Sequence, residues 1–206
     1  MGSAASYLLI AVLTVTAAIH AGFAIYGWRR RGASGAGVFG FINLALAIWL
    51  TSYAGELAGA DFETKVAWAQ AQYLGIASVP VLWFLYSLEL RGRLRSISWP
   101  WMVALWIVPA LTIIMVFTTR WHGLHWSSVQ LASTEQLSFV RVAYGPWFWV
   151  QAAYSYTLLL AGTILLLNYV SRSSDLYRDQ AAMLLVASVL PWIANIAYLA
   201  GLIPMP

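Results

Sequence analysis

The chain has 206 residues, of which 62% are apolar and only 9% are charged. Its net charge of +4 comes from arginine clusters between long apolar segments, which excludes the broad basic surface that nucleic-acid binding requires. Cysteine is absent, so disulfide bonds and thiol chemistry are excluded as well.

Six long apolar segments follow one another along almost the whole chain. Each has about the 20 residues that an α-helix needs to cross the hydrocarbon core of a membrane. Lipid offers the backbone no hydrogen-bond partners, so segments of this kind are helical. We therefore predict an all-α, polytopic membrane helix bundle in which residues 1–206 form a single transmembrane domain. In chain order the segments are 7–28, 38–57, 66–88, 97–118, 147–170 and 181–202.

The arginines between the segments predict the orientation of the chain. The first, third and fifth gaps contain eight of the eleven basic residues. Short arginine-rich loops stay on the cytoplasmic side, so we expect a multi-pass membrane protein with its amino terminus outside. No basic residue precedes the first segment, as a cleaved signal peptide would require. The eight residues are Arg29, Arg30, Arg31, Arg91, Arg93, Arg95, Arg172 and Arg178.

The number of crossings points to a larger bundle. Six crossings from an outside start leave Pro206 outside as well, where the chain has no part large enough to act alone. We therefore expect these six transmembrane helices to belong to a bundle of seven. The seventh helix would return the chain to the cytoplasm.

Polar and aromatic residues inside the segments recur at helical spacing. Trp49, Tyr53 and Glu56, for example, share one face of the second segment. Polar groups within a membrane face the bundle interior or a cavity, so we predict that four such stripes converge on a pocket open to the outside. A small apolar or aromatic molecule would bind there. The predicted ligand-binding residues are Trp49, Tyr53, Glu56, Gln72, Trp83, Trp147, Gln151, Tyr154, Asn195 and Tyr198.

A second explanation of the same residues stays open. Tryptophan and tyrosine gather at membrane interfaces, so the twelve tryptophans could serve mainly as anchors. Asparagine and glutamine often join helices by hydrogen bonds, which would account for Asn43, Gln72, Gln151 and Asn195. Glu56 indicates a site more strongly, because a carboxylate is costlier to bury than an amide unless it is high enough to be solvated.

The histidines and prolines have simpler predicted roles. His20, inside the first segment, is predicted to hydrogen-bond to a neighbouring helix. His122 and His125 could hold a metal ion if Glu56 approached them. Their tryptophan neighbours favour an interfacial turn instead, so we predict no metal site. Three prolines inside segments are expected to kink or break their helices. They are Pro80, Pro109 and Pro191.

Catalytic chemistry is missing from the sequence. It contains no nucleophile–base pair, phosphate-binding loop or zinc motif. A retinal Schiff base needs a buried lysine, and the single lysine, Lys65, is predicted at the edge of a loop. Transmembrane haem would need further histidines beside His20. We predict no enzymatic activity and no cofactor for this chain.

Several motifs together resemble the N-terminal seven-transmembrane sensor region of bacterial histidine kinases. The stretch 118–126 is similar to that family's Thr-Asn-x-x-His-x-Leu-x-Trp loop, with Thr119 where asparagine is usual. In the third segment the motif is Gln-Tyr-Leu-Gly-Ile at 72–76, followed by Pro80, Trp83 and Leu85. In the fifth it is Gly-Pro-Trp-Phe-Trp at 145–149, followed by Tyr-Ser-Tyr at 154–156. Around the sixth the motifs are Tyr-Arg-Asp-Gln at 177–180, Leu-Pro at 190–191, Asn-Ile-Ala-Tyr at 195–198 and Gly-Leu at 201–202.

The resemblance implies a sensor in the bacterial inner membrane. It would precede a cytoplasmic output domain, commonly a histidine kinase of a two-component system or a cyclic-dinucleotide enzyme. The resemblance also implies a seventh helix and a homodimer, since such kinases phosphorylate in trans. The partners we expect are a small-molecule ligand, the lipid bilayer and a second copy of the chain. The residues alone also allow a small transporter, a tryptophan-rich lipid- or porphyrin-binding protein, or the anchor of an enzyme subunit.

Overall fold

A computed structural model of the chain describes residues 4–133 and 138–171. Within these ranges the chain forms seven α-helices and one two-stranded antiparallel sheet. The predicted helix 181–202, with Asn195, Tyr198 and Pro191, lies outside the described residues. The elements are α1 (Ala4–Arg29), α2 (Ala36–Ala58), α3 (Phe62–Ile76), α4 (Val79–Leu90), α5 (Trp99–Phe117), α6 (Thr119–His122), β1 (Trp126–Ser133), β2 (Ser138–Tyr144) and α7 (Pro146–Val170).

Five stretches of the described chain are long and apolar enough to cross a membrane. Four of them correspond to α1, α2, α5 and α7, and the fifth, Phe62–Leu90, combines α3 and α4. They coincide with the first five predicted segments to within a few residues. The predicted fold class, an all-α polytopic bundle, is thus confirmed, with the small sheet as an addition.

The third predicted helix, 66–88, is interrupted in the structure. α3 ends at Ile76, and α4 begins at Val79 after a turn in which the Ser78 N–H donates to Gly75 O at 3.0 Å. Pro80 lies in the first turn of α4, where a missing N–H costs no helical hydrogen bond. The predicted break at this proline is confirmed. Pro109, by contrast, lies inside α5 without ending it.

The connections between helices gather at two ends of the bundle. At one end, the α1–α2 turn meets the end of α4, where Gly35 packs against the side chains of Tyr86 and Leu90. The arginines of 29–31 and 91–95 lie in these connections, so we call this the arginine end. The α2–α3 turn, α6 and the two strands lie at the opposite end, which we call the hairpin end.

The hairpin corrects a prediction, because residues 119–146 were expected to form a loop. β1 and β2 instead pair in antiparallel register, with Val129 opposite Val142. Val140, Val142 and Tyr144 alternate with more exposed residues and pack on a core that includes Tyr73 of α3. This alternation is the pattern of a half-buried strand, and it was present in the sequence. The register of the two strands depends on how they pack against the helices, and the sequence does not reveal that packing.

Glycines let the first helices approach closely. A Cβ atom at Gly27 of α1 would lie 2.8 Å from the Cα atom of Gly40 of α2. A Cβ atom at Gly75 of α3 would overlap the backbone of Ala45 and lie 2.8 Å from Cβ of Trp49, both in α2. Small residues at such crossings are how membrane helices gain packing contacts.

We expect Gly75→Ala to lower the free energy of unfolding by about 1–3 kcal/mol, because an added methyl group overpacks the α2–α3 contact. Gly22→Ala is the matched control, since nothing lies within 4 Å of the Cβ position there. The control should be neutral, or more stable by up to about 1 kcal/mol through helix propensity. Unfolding in detergent micelles measures both, and equal effects of the two variants would contradict the close approach.

Candidate functional site

A buried carboxylate joins three elements at the hairpin end. Glu56, in the last turn of α2, is only 5% exposed. Its Oε1 accepts a hydrogen bond from the Val140 N–H of β2 at 2.9 Å, and its Oε2 accepts one from Nε2 of Gln72 in α3. Buried carboxylates require such partners, because desolvation of an unpaired charge is costly. Glu56 therefore holds β2 against α2 and α3.

The single lysine of the chain completes the same junction. Lys65 of α3 is 5% exposed, and its Nζ donates to Glu56 O at 2.8 Å, Leu57 O at 3.2 Å and Ser138 O at 2.9 Å. All three ammonium donors are thus used. Two of the acceptors are carbonyls at the C-terminus of α2, which lack partners within the helix and favour a cation. We call this junction of Glu56, Lys65 and Gln72 with the hairpin backbone the latch.

The start of α3 sets the position of Lys65. Asp61 caps the helix, because its Oδ1 accepts from the Thr64 N–H and its Oδ2 from the Thr64 hydroxyl, both at 2.8 Å. These hydrogen bonds hold the pKa of Asp61 below its usual range. With the helix started at this point, Lys65 lies within its first turn and reaches back over the end of α2. Lys65 was predicted at the edge of a loop, but it lies in the first turn of α3 and is buried.

The corner between α5 and β1 is held by His122. Its Nδ1 accepts a hydrogen bond from the Leu124 N–H at 2.9 Å, so the ring proton lies on Nε2. Nε2 lies 2.9 Å from the hydroxyl of Thr118, which in turn donates to Ile114 O at 2.6 Å. Gly123 follows with φ of 62°, a conformation that favours glycine. The chain turns at this point as predicted, but Trp126, one of the two tryptophans behind that prediction, is only 3% exposed and packs in the core.

Thr119 secures the first residue of β1. Its hydroxyl donates to Trp126 O and accepts from the Trp126 N–H, both at 3.1 Å. An asparagine side chain also offers both a donor group and an acceptor. Threonine therefore supplies both kinds of hydrogen bond at this position of the motif.

A cavity of about 410 Å³ lies between the start of α3, α6 and β1. At its rim, Arg120 donates to Glu63 at 3.1 Å, and both side chains are largely exposed. Deeper in, Nε2 of Gln70 donates to Val116 O at 3.0 Å. The lining residues are Phe62, Glu63, Val66, Gln70, Thr119, Arg120, Trp121, His122, Gly123, Trp126, Ser127, Ser128 and Val129. They include none of the eight predicted ligand-binding residues that the structure describes.

The predicted residues of α4 and α7 make hydrogen bonds between or within helices. Nε1 of Trp83 donates to Thr163 Oγ1 at 3.2 Å, and the Tyr154 hydroxyl donates to Leu105 O at 2.7 Å. Nε1 of Trp147 likewise donates to Thr112 Oγ1 at 3.1 Å, and Nε2 of Gln151 to Ser155 Oγ at 3.0 Å. Three of these contacts join α7 to α4 or α5, whereas Gln151 bonds within α7.

The three residues of the predicted stripe on α2 have different surroundings in the structure. Glu56 enters the latch with Gln72, whereas Trp49 is half-buried against Gly75 and Tyr53 is 36% exposed. Tyr53 alone of these lies on the surface of the described bundle. The structure thus brings together two of the predicted site residues, Glu56 and Gln72.

His20 and His125 differ in their surroundings. Nδ1 of His20 lies 2.8 Å from Oδ1 of Asn43, which confirms the predicted contact between α1 and α2. His125 was predicted to lie with His122 in an interfacial turn, yet it is 0% exposed. Burial lowers the pKa of His125 to about 4, with a smaller electrostatic contribution from His122. Among the described residues, no three His, Asp or Glu side chains are grouped to hold a metal ion.

Comparison with known proteins identifies a family. A family model for the N-terminal 7TM region of histidine kinase matches residues 12–206. No curated protein matches the chain, and no solved structure matches it. The resemblance that the motifs carry is therefore confirmed along nearly the whole chain.

We expect Glu56→Ala to free the hairpin from the helices. The substitution leaves the Val140 N–H and the Gln72 amide without their acceptor, which costs about 1–3 kcal/mol for each buried group. The Val140 amide should exchange with deuterium about 100-fold faster, corresponding to about 2.8 kcal/mol. Arg120→Ala is the control, because exposed ion pairs contribute little to stability. Equal protection of Val140 in all three proteins would contradict the latch.

Proposed function

We propose that this chain, which belongs to the family of N-terminal seven-transmembrane regions of histidine kinases, senses a small molecule at the hairpin end of its bundle. As an N-terminal sensor region it is part of a membrane signalling protein. The phosphoryl-transfer chemistry would belong to a cytoplasmic kinase domain of the full-length protein. The hairpin end would face the outside, because the arginine end carries the basic connections that stay cytoplasmic.

The observation that carries this proposal is the shared border of the cavity and the latch. β1 lines the cavity, and its partner β2 supplies the Val140 N–H and Ser138 O that bind Glu56 and Lys65. A molecule held between α3, α6 and β1 would therefore press on a strand pair that is fixed to α2. If it binds one hairpin position more tightly than another, it shifts the population of bundle arrangements.

The lining supports a small aromatic molecule as the ligand. Three rings border the cavity, those of Phe62, Trp121 and Trp126. A volume of about 410 Å³ is within the range of small-molecule sites. The polar rim of Glu63 and Arg120 would orient a polar substituent. The predicted pocket among the helical stripes stays a prediction, because Asn195 and Tyr198 lie outside the described residues.

The full-length protein would act as a homodimer, since its kinase would phosphorylate in trans. Cytoplasmic output would follow from rearrangement of the helices between the two copies. A transporter, the alternative from sequence, would instead move its substrate across liposomes that contain this chain alone. Ligand-dependent phosphorylation without such flux distinguishes the two functions.

We expect Ser128→Trp to weaken the response to an aromatic ligand, because the indole would fill the cavity. The concentration of ligand that gives half-maximal autophosphorylation of the full-length protein should rise at least about tenfold, equivalent to about 1.4 kcal/mol. Leu131→Trp is the matched control, since Leu131 is 52% exposed on the same strand and does not line the cavity. Identical responses of both variants and the wild type would overturn the assignment of the cavity.

We expect Lys65→Met to separate binding from response. The variant keeps the cavity but loses the three hydrogen bonds that tie α2 to the hairpin. Ligand should still raise the thermal stability of the protein, while the change in autophosphorylation should fall to a small fraction of the wild-type change. Arg141→Met, an exposed basic residue on β2, serves as the control. A full response from Lys65→Met would contradict signalling through the latch.

A further inference from the structure

We propose that the hairpin end also senses acidity, through proton uptake by His125 that displaces the corner between α6 and β1 from the bundle. This function is independent of the aromatic ligand. It rests on an unusual environment for a histidine, on the place of that histidine in the fold, and on the lack of a facing carboxylate in the part of the chain that the structure describes.

The imidazole of His125 is enclosed by aromatic rings. Its centroid lies 4.7 Å from that of Tyr73 in an edge-to-face contact at 89°, and 6.0 Å and 6.2 Å from those of Phe148 and Trp126. The side chain is 0% exposed, and neither ring nitrogen has a hydrogen-bond partner among the described residues. Buried polar groups are nearly always paired. The enclosure therefore fits the shape of the ring but leaves its N–H unpaired.

Among the described residues, no carboxylate faces His125. The titratable groups that face it there are the phenol of Tyr73 on α3, His122 on α6, and the phenol of Tyr144 on β2, which stacks on Phe148. β1 has no titratable side chain, and the described part of α7 has only tyrosines. An imidazolium would bring two donors and a charge to ring nitrogens that have no partner among the described residues, which strongly favours its movement into water.

The backbone of His125 lies where the hairpin joins the bundle. Its carbonyl accepts from the Gly145 N–H at 2.8 Å, and the Leu124 carbonyl accepts from the Trp147 N–H at 2.9 Å. These bonds connect the corner to the first turn of α7. On the other side Trp126 is clamped by Thr119. Displacement of the His125 ring would therefore loosen both the start of β1 and the start of α7.

The direction of the pH response follows from the two protonation equilibria. In the enclosed state the pKa of His125 is about 4, whereas a histidine in water has a pKa of about 6.5. The displaced state thus binds the proton more tightly. Its population should rise as the pH falls below about 6.5 and level off near pH 4, by a factor on the order of a few hundred in all.

The test uses the full chain in lipid nanodiscs without added ligand. Hydrogen–deuterium exchange of β1, corrected for intrinsic rates, should increase in the wild type between pH 7 and pH 5 by about tenfold or more. His125→Phe fills the aromatic enclosure without a titratable group, and its exchange should not depend on pH. His122→Gln removes the neighbouring histidine and should keep the acid response.

An acid response of equal size in His125→Phe, or none in the wild type, would overturn the proposal. A direct titration covers the case in which His125→Phe does not fold. In the wild type with isotope-labelled histidine, the NMR signals of the His125 ring should stay those of a neutral imidazole at pH 6. Titration of that ring with an ordinary midpoint near pH 6.5 would equally contradict acid sensing at this residue.

Discussion

A charged side chain that leaves water must find its partners inside the protein, and this requirement organises the hairpin end. Glu56 meets it with a backbone amide of β2 and the amide of Gln72, and Lys65 meets it with carbonyls of α2 and β2. The carboxylate of Glu56 and the ammonium group of Lys65 also attract each other. Removing either side chain would leave several buried groups unpaired at once. These bonds tie β2, and with it the strand that borders the cavity, to α2 and α3.

Polar side chains serve different purposes along the bundle. Within the spans they join one helix to another in pairs, as His20 and Asn43 do, and as Trp83 and Thr163 do. At the hairpin end they join three elements at a time. The helices are therefore joined by many separate contacts. The hairpin is held by the latch at Val140 and Ser138, by apolar packing on the core around Tyr73, and by the backbone bonds that join its first corner to α7.

Much of the fold could be predicted from the sequence, because hydropathy and segment length alone specify membrane helices. Pro80 also marked the break in the third span. The latch was predicted only in part. Glu56 and Gln72 lie on inward helical faces, but the partners of Lys65 are backbone carbonyls, which no side-chain pattern reveals. The strand pattern of Val140 and Val142 was present but short, and the burial of His125 follows from packing among distant segments.

The break between α3 and α4 distinguishes the two neighbouring spans. The third span is interrupted at Ala77 and Ser78, so that α3 belongs to the latch while α4 packs on α7. α2 has no such interruption over its 23 residues, a rod about 35 Å long. It begins beside α1 and α4 at the arginine end and ends at Glu56. α2 is thus one uninterrupted helical connection between that carboxylate and the arginine end.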